Sequence, residues 1–201
     1  VFSIFNSPFS IVSHRLVGDG VTHLVCAKNT RKLIDPDMIV LHYTAGTSAA
    51  GSAIFLTRPD VGASAHVVIG RGGEVFQLVS FDTEAWHAGR SWYAGRSGLN
   101  RYSIGIELDN LGKLRLSGGM FIAECGRVVP PEEVYTDCSG KTPTYWHNYT
   151  LRQVRVLREI CALLEETYPI KSVVGHSAIT PRKLDPGPAL EFAFNEFQAK
   201  N

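Results

Sequence analysis

Two histidines in this chain stand directly behind short apolar runs. His42 follows Ile39-Val40-Leu41, and His176 follows Val173-Val174-Gly175. Runs of this kind read as buried strands, and ligands gather beyond strand ends in open α/β sheets, so two such imidazoles can converge. A carboxylate comes nine residues after His176, in Lys183-Leu184-Asp185-Pro186-Gly187-Pro188. Pro186 restricts Asp185 to extended geometry, and the Pro-Gly-Pro turn fixes where its carboxylate points. Two imidazoles and one carboxylate make a catalytic zinc set with a fourth position left for water; a structural site closes with four protein ligands. Each residue alone also fits a quieter role, as a satisfied core histidine or as a turn or helix-cap aspartate. Glu107 ends the apolar run 103–108, where an acidic side chain is costly unless it faces solvent, a cation or a site. Lys183 can point into the same place as Asp185 or lie in water. No Gly-x-Ser-x-Gly elbow exists and no cysteine adjoins these histidines in sequence. Acyl-enzyme chemistry therefore has no visible candidate, and metal-activated water fits better.

Strands interleaved with a few helices must position these groups. Residues 38–41 read as a strand buried on both faces, stopping at His42-Tyr43-Thr44-Ala45-Gly46, with a short helix over 48–57. Strands over 65–69 and 74–79 flank Gly70-Arg71-Gly72-Gly73, a hairpin turn and not a phosphate loop, because no Lys-Ser/Thr follows and a strand comes next. A further strand covers 103–108. Leu151, Val154, Leu157, Cys161, Leu164 and Tyr168 recur at helical spacing, Thr150 and Gln153 fit a capping box, and Pro169 stops the helix. A strand over 172–175 and a helix over 189–198 follow. Near the N-terminus, residues 15–17 and 21–25 around Gly18-Asp19-Gly20 read as a hairpin. Residues 111–148 show no strong period and read as a long surface excursion, in which Trp146-His147 either shape a groove or pack. The fold class is α/β, a mixed central β-sheet flanked by a few helices. The expected organisation is one domain over 1–201, with an N-terminal hairpin region of about 1–37 and a catalytic core of about 38–192.

The chain has 201 residues, 44% apolar and 19% charged, enough for a real core and against disorder. Twenty basic against nineteen acidic residues leave a net charge of +1, which removes the electrostatic case for nucleic acid or an anionic membrane as partner. The longest apolar runs are too short to span a bilayer. Four cysteines form no C-x-x-C pair; Cys125 and Cys138 can bridge within one loop or stay free. Residues 1–12 show neither a basic n-region nor a long apolar h-region, so no signal peptide is visible, and the sequence leaves the compartment open.

Five segments carry a resemblance: Val40-Leu41-His42-Tyr43-Thr44-Ala45-Gly46, Ala63-Ser64-Ala65-His66, Ala85-Trp86-His87-Ala88-Gly89, Asn100 to Leu108, and Gly175-His176-Ser177 through Pro188. In this order the chain, from about 38 to 192, resembles the zinc N-acetylmuramoyl-L-alanine amidases of the AmpD and type 2 amidase family. That family shares its fold with phage T7 lysozyme and the peptidoglycan recognition proteins. The resemblance implies one zinc ion per chain on His42, His176 and Asp185, with Glu107 as the acidic catalytic residue and Lys183 as the transition-state cation. It implies a peptidoglycan or muropeptide substrate cut between N-acetylmuramic acid and L-alanine, and a monomer is expected. His66 falls near the family's site without being a ligand. Trp86 and His87 lie on a loop where an aromatic face can stack on a sugar, Trp86 fitting a core position equally well. Asn100 and Arg71 are candidates for the peptide's carboxylates or carbonyls. Gly98 stands where cytosolic recycling members carry arginine, which puts a preference for their small anhydro-muropeptides in doubt and leaves both intact peptidoglycan and soluble fragments open as substrate. Two rival readings are a non-catalytic peptidoglycan-binding module and a zinc hydrolase of another N-acyl amino acid or peptide. Binding modules typically lack a ligand; keeping all three together with Glu107 and Lys183 favours an enzyme.

Overall fold

In the computed structural model, which describes residues 7–28, 31–32 and 36–199, the apolar runs become the middle of a mixed sheet. From the N-terminus the elements are β1 (Phe9–Val12), β2 (Arg15–Gly18), β3 (Val21–His23), β4 (Met38–Tyr43), α1 (Ala49–Thr57), β5 (Val67–Ile69), β6 (Val75–Gln77), β7 (Trp92–Tyr93), β8 (Arg96–Ser97) and β9 (Ser103–Leu108). The second half adds β10 (Lys113–Ser117), β11 (Met120–Ile122), β12 (Val128–Val129), β13 (Val134–Asp137), β14 (Thr144–His147), α2 (Leu151–Thr167), β15 (Ser172–Gly175), α3 (His176–Ile179) and α4 (Pro188–Ala199). Six strands form the main sheet in the order β15-β4-β9-β5-β6-β3. The first four run parallel, β6 turns back against β5, and β3 joins the edge parallel to β6.

Alternation along the central strands sorts two faces. Ile39 and Leu41 of β4 and Ile104, Ile106 and Leu108 of β9 pack with Val154, Leu157, Ile160 and Leu164 of α2 and with Leu190 of α4. Each fully buried aliphatic side chain there contributes on the order of 1.5–3 kcal/mol of transfer free energy. Met38 and Val40 face the other way, into a smaller cluster with Ala88, Leu99 and Ile179. That second face carries Ser103, Gly105 and Glu107, which pair in register with Met38, Val40 and His42. A small or polar residue at every second position of β9 leaves room there for side chains from the loops.

Helix starts follow the expected caps, with one difference. The Ser48 hydroxyl accepts from Gly51 N–H at the head of α1, and the Thr150 hydroxyl accepts from Gln153 N–H at the head of α2. The capping box over Thr150 and Gln153 is only half formed. The Gln153 amide donates instead to the carbonyls of Ile69 (3.0 Å) and Asp109 (3.1 Å), two buried strand-end acceptors that would otherwise lack this donor.

Two expectations are corrected. Residues 15–17 and 21–25 do not form a hairpin: β2 pairs antiparallel with β1, through a turn at Ser13 and His14 that both have positive φ, while β3 pairs with β6. Gly20, at φ 80°, still makes a turn, but one that passes the chain between sheets. An adjacent antiparallel partner upstream and an open edge at β6 together outcompete the local pairing. The stretch 111–148 is not an irregular excursion but a second, five-stranded antiparallel sheet, β12-β11-β10-β14-β13, over a small cluster of Leu111, Leu114, Ala123 and Val129. Cys125 and Cys138 are free and exposed. Residues 1–6, part of the segment read for a leader, lie outside the described residues.

Candidate metal centre

Strand register assembles the site. Gly175 pairs with Leu41, and His42 pairs with Glu107, so His42 and Glu107 share a row of adjacent parallel strands and His176, the first residue after β15, follows beside them. Asp185 arrives from the loop after α3. Its carbonyl accepts from Ser177 N–H at 2.9 Å, and Pro186 lies over Gly175, where a Cβ would come within 2.6 Å of Pro186 Cδ. The second sheet buttresses this loop: Tyr149 OH donates to the Pro186 carbonyl at 2.8 Å, and the Trp146 ring fills the space beside Gly187.

Three ligand-type atoms meet in a near-equilateral triangle. His42 Nδ1 lies 3.0 Å from His176 Nδ1, and each lies 2.9 Å from Asp185 Oδ2. A tetrahedral ion about 2.0–2.2 Å from each atom requires edges of roughly 3.3–3.6 Å, so the triangle needs to open by only a few tenths of an ångström to take one. All three residues are buried. Burial works against ionisation of Asp185, but hydrogen bonds from His176 and His42 outweigh it and hold the carboxyl well below the usual range. Burial, helped by the charges of His176 and Lys183, lowers His42 against the pull of Asp185. Two buried imidazole nitrogens beside a carboxylate held ionised are the kind of donor set a divalent cation needs. The residues fit the ion.

Glu107 sits at the edge of the triangle. Burial, then the charge of Asp185, raises its carboxyl to about 8, against the opposing charge of Lys183. Its Oε2 is enclosed without a hydrogen-bond partner in the protein, so it is free to meet a group that enters the site. A cleft of about 430 Å³, walled by Thr44, Thr47, Ser48, Ser52 and Phe55, opens onto Glu107. Lys183 is exposed, and its charge acts on both His42 and Glu107.

The remaining candidates separate. His87 joins the triangle's outer side, with Nδ1 3.1 Å from His42 Nε2. His66 lies one ring further back and is 0% exposed; its Nδ1 accepts from Gly105 N–H and its Nε2 donates to the Thr83 carbonyl, both at 2.9 Å. Burial lowers it to about 4. Asn100 is committed to backbone: its Oδ1 accepts from the N–H groups of His87 (3.1 Å) and Ala88 (2.7 Å). Arg71 is committed as well. Its guanidinium donates to the Asn148 carbonyl and to Glu133, which also accepts from His147, so it ties the second sheet to the β5–β6 turn. Trp86 is 47% exposed, its backbone N–H held by the Ser64 hydroxyl, and Trp92, at 64%, stands out without having been singled out in the sequence. Tyr149 and Ser103 were also missed; the only sequence signal was the small-residue alternation of Ser103 and Gly105.

The profile of a family described as N-acetylmuramoyl-L-alanine amidase matches residues 32–188. The 1,6-anhydro-N-acetylmuramyl-L-alanine amidase AmpD of Escherichia coli K12 is 37% identical over 133 residues, covering 65% of this chain and 55% of that protein. The chain thus spans about half the length of that relative. Among solved structures, a selenomethionine derivative of AmpD superposes with a TM-score of 0.66 at 26% identity, covering 94% of this chain and 97% of that one. The amidase AmiD from E. coli, solved with the substrate anhydro-N-acetylmuramic acid-L-Ala-D-gamma-Glu-L-Lys, gives 0.60 at 25% identity, over 96% and 65% of the two chains.

Proposed function

The chain belongs to the N-acetylmuramoyl-L-alanine amidase family, and from that membership we propose that it hydrolyses the amide joining the lactyl group of N-acetylmuramic acid to the L-alanine of a peptidoglycan stem peptide, with zinc held by His42, His176 and Asp185. The observation that carries the reading is the triangle of His42, His176 and Asp185 beside a partnerless Glu107 oxygen at the end of an open cleft. Bound there, zinc supplies Lewis acidity toward the scissile carbonyl and makes water a nucleophile near neutral pH.

The chain's own groups handle the proton and the developing charge. In its ionised form, which the Lys183 charge and a bound cation would favour against burial, Glu107 takes a proton from the attacking water and returns it to the nitrogen of L-alanine as the C–N bond breaks. An amine is a poor leaving group, so the transfer is needed on the departing side as much as the attacking one. Lys183 offsets the negative charge that collects on the carbonyl oxygen, and the same positive charge favours the ionised form of Glu107. The products are a muramyl carboxylic acid and a stem peptide with a free amino terminus.

The AmiD complex names a muropeptide of the right connectivity, so the first assay uses an anhydro-muramyl peptide, followed by intact sacculi. Chromatography with mass detection should show free stem peptide from the zinc-loaded protein, none after chelation, and recovery on adding zinc back. Intact muropeptide and intact sacculi after prolonged incubation with zinc-loaded protein would overturn the proposal. Metal content separates the roles: Asp185→Ala should lose zinc.

A further inference from the structure

His87 lies in the segment that pointed toward a sugar-stacking role, yet it is only 7% exposed and turned inward. Four independent contacts fix it. Its backbone N–H donates to Asn100 Oδ1 at 3.1 Å. Its ring occupies the space above Gly105, where a Cβ would come within 2.4 Å of His87 Cγ. Its Nε2 lies 3.3 Å from the Ser103 carbonyl and 3.3 Å from the Ser103 hydroxyl. Its Nδ1 lies 3.1 Å from His42 Nε2.

The proton positions along this line follow from the acceptors. A carbonyl oxygen only accepts. The Ser103 hydroxyl donates to the Leu99 carbonyl at 2.7 Å, so toward His87 it only accepts too. Nε2 of His87 must therefore carry the proton, and in the neutral ring Nδ1 is left as an acceptor. With a cation in the triangle His42 would donate to that acceptor from Nε2, and its own Nδ1, which faces Asp185 Oδ2 and His176 Nδ1, would be bare for the ion instead of hydrogen-bonding Asp185. With a cation at the triangle, the opposite tautomer of His42 would aim its Nδ1 proton at the ion and set two acceptors against each other at 3.1 Å on the His87 side.

We infer that His87 is a positioning residue for the metal centre: by accepting the Nε2 proton of His42 it holds that ligand in the one neutral tautomer whose Nδ1 can bind the ion, and Ser103, Asn100 and Gly105 hold His87 in turn. The inference rests on the zinc reading above, since without an ion at the triangle there is nothing for the Nδ1 lone pair to serve. It removes His87 and Asn100 from the substrate-binding set and gives β9 a second task, because Ser103 and Gly105 lie on the strand that presents Glu107.

The test compares His87→Leu with His87→Asn in the zinc-loaded protein. The two side chains share one branched skeleton of four heavy atoms, but only Asn keeps an oxygen near the place of Nδ1. Zinc affinity, read by competition with a fluorescent chelator, should fall about 10–100-fold in His87→Leu and recover most of that loss in His87→Asn, as expected for an outer hydrogen bond to a ligand. Nitrogen-15 imidazole spectra of the unaltered holoprotein supply a measurement that needs no variant. His42 should be protonated on Nε2, and His87 should be protonated on Nε2 and bare on Nδ1. Equal losses in the two variants, no loss in either, or a proton on His87 Nδ1 would refute the positioning role. Failure of the unaltered protein to bind zinc at all would instead refute the metal reading beneath it.

Discussion

His66 offers a sharp test of how the buried face is electrostatically built. In the unfolded chain its imidazole titrates near 6.5; in the folded protein burial lowers that to about 4. Its two nitrogens are matched to one donor and one acceptor of the backbone, so a second proton has no acceptor to meet. Between these two pKa values the unfolded chain binds a proton that the folded protein refuses. The stability contribution is therefore complete above pH 6.5 and is lost as the pH falls toward 4. From pH 8 to pH 5 the loss assigned to His66 is about 2 kcal/mol. His66→Gln removes the titration while keeping one acceptor and one donor. Urea denaturation of both proteins at pH 8 and pH 5, with chelator present so that proton-linked metal binding does not enter, yields a difference of differences. The variant should be the less stable at pH 8 yet lose about 2 kcal/mol less on acidification. His42, His87 and His147 are also lowered by burial and contribute to acid sensitivity in both proteins, so they largely cancel in the comparison. Identical acid losses in the two proteins would refute the reasoning and place His66 in contact with water.

Two further predictions separate catalysis from scaffolding. Glu107→Gln should keep stoichiometric zinc by elemental analysis while stem-peptide release falls by about 10²–10⁴-fold, the range for losing a general acid–base; a variant retaining a tenth of the activity would exclude Glu107 as the proton carrier. Glu133→Ala should cost about 1 kcal/mol in urea unfolding, a modest figure because the carboxylate is 44% exposed, and should speed proteolysis within 113–147 by releasing Arg71 and His147 together. Unchanged digestion kinetics would show that Arg71 does not tie the second sheet down.

His42, His176 and Glu107 were legible because each sits at or beside the end of an apolar strand, a property of the local sequence. Their convergence was expected from ligands gathering beyond strand ends, but the order β15-β4-β9 that produces it was not legible, because it makes neighbours of strands separated by more than a hundred residues. The second sheet escaped for a related reason. Its strands are two to five residues long and its buried side chains, such as Leu114 and Val129, are few, so no period could build up. Trp86 and His87 show the limit most clearly: adjacent on one loop, one faces water and the other packs on Gly105, a difference set by Ser64, Asn100 and the hole in β9.

The four central histidines form a row of rings, His66 to His87 to His42 to His176, with centroids 5.8, 5.2 and 4.5 Å apart. Residue type does not separate their roles; the commitments of their nitrogens do. His66 gives both nitrogens to backbone and is chemically inert. His87 gives one to Ser103 and one to His42. His42 gives one to His87 and turns the other to the triangle, where His176 Nδ1 meets it while Nε2 of His176 has no partner. Because a neutral imidazole has one donor and one acceptor, fixing the Ser103 end fixes the direction of the protons as far as His42. The backbone of β9 thus determines which lone pair reaches the candidate metal, and it does so from the strand that also carries the candidate base.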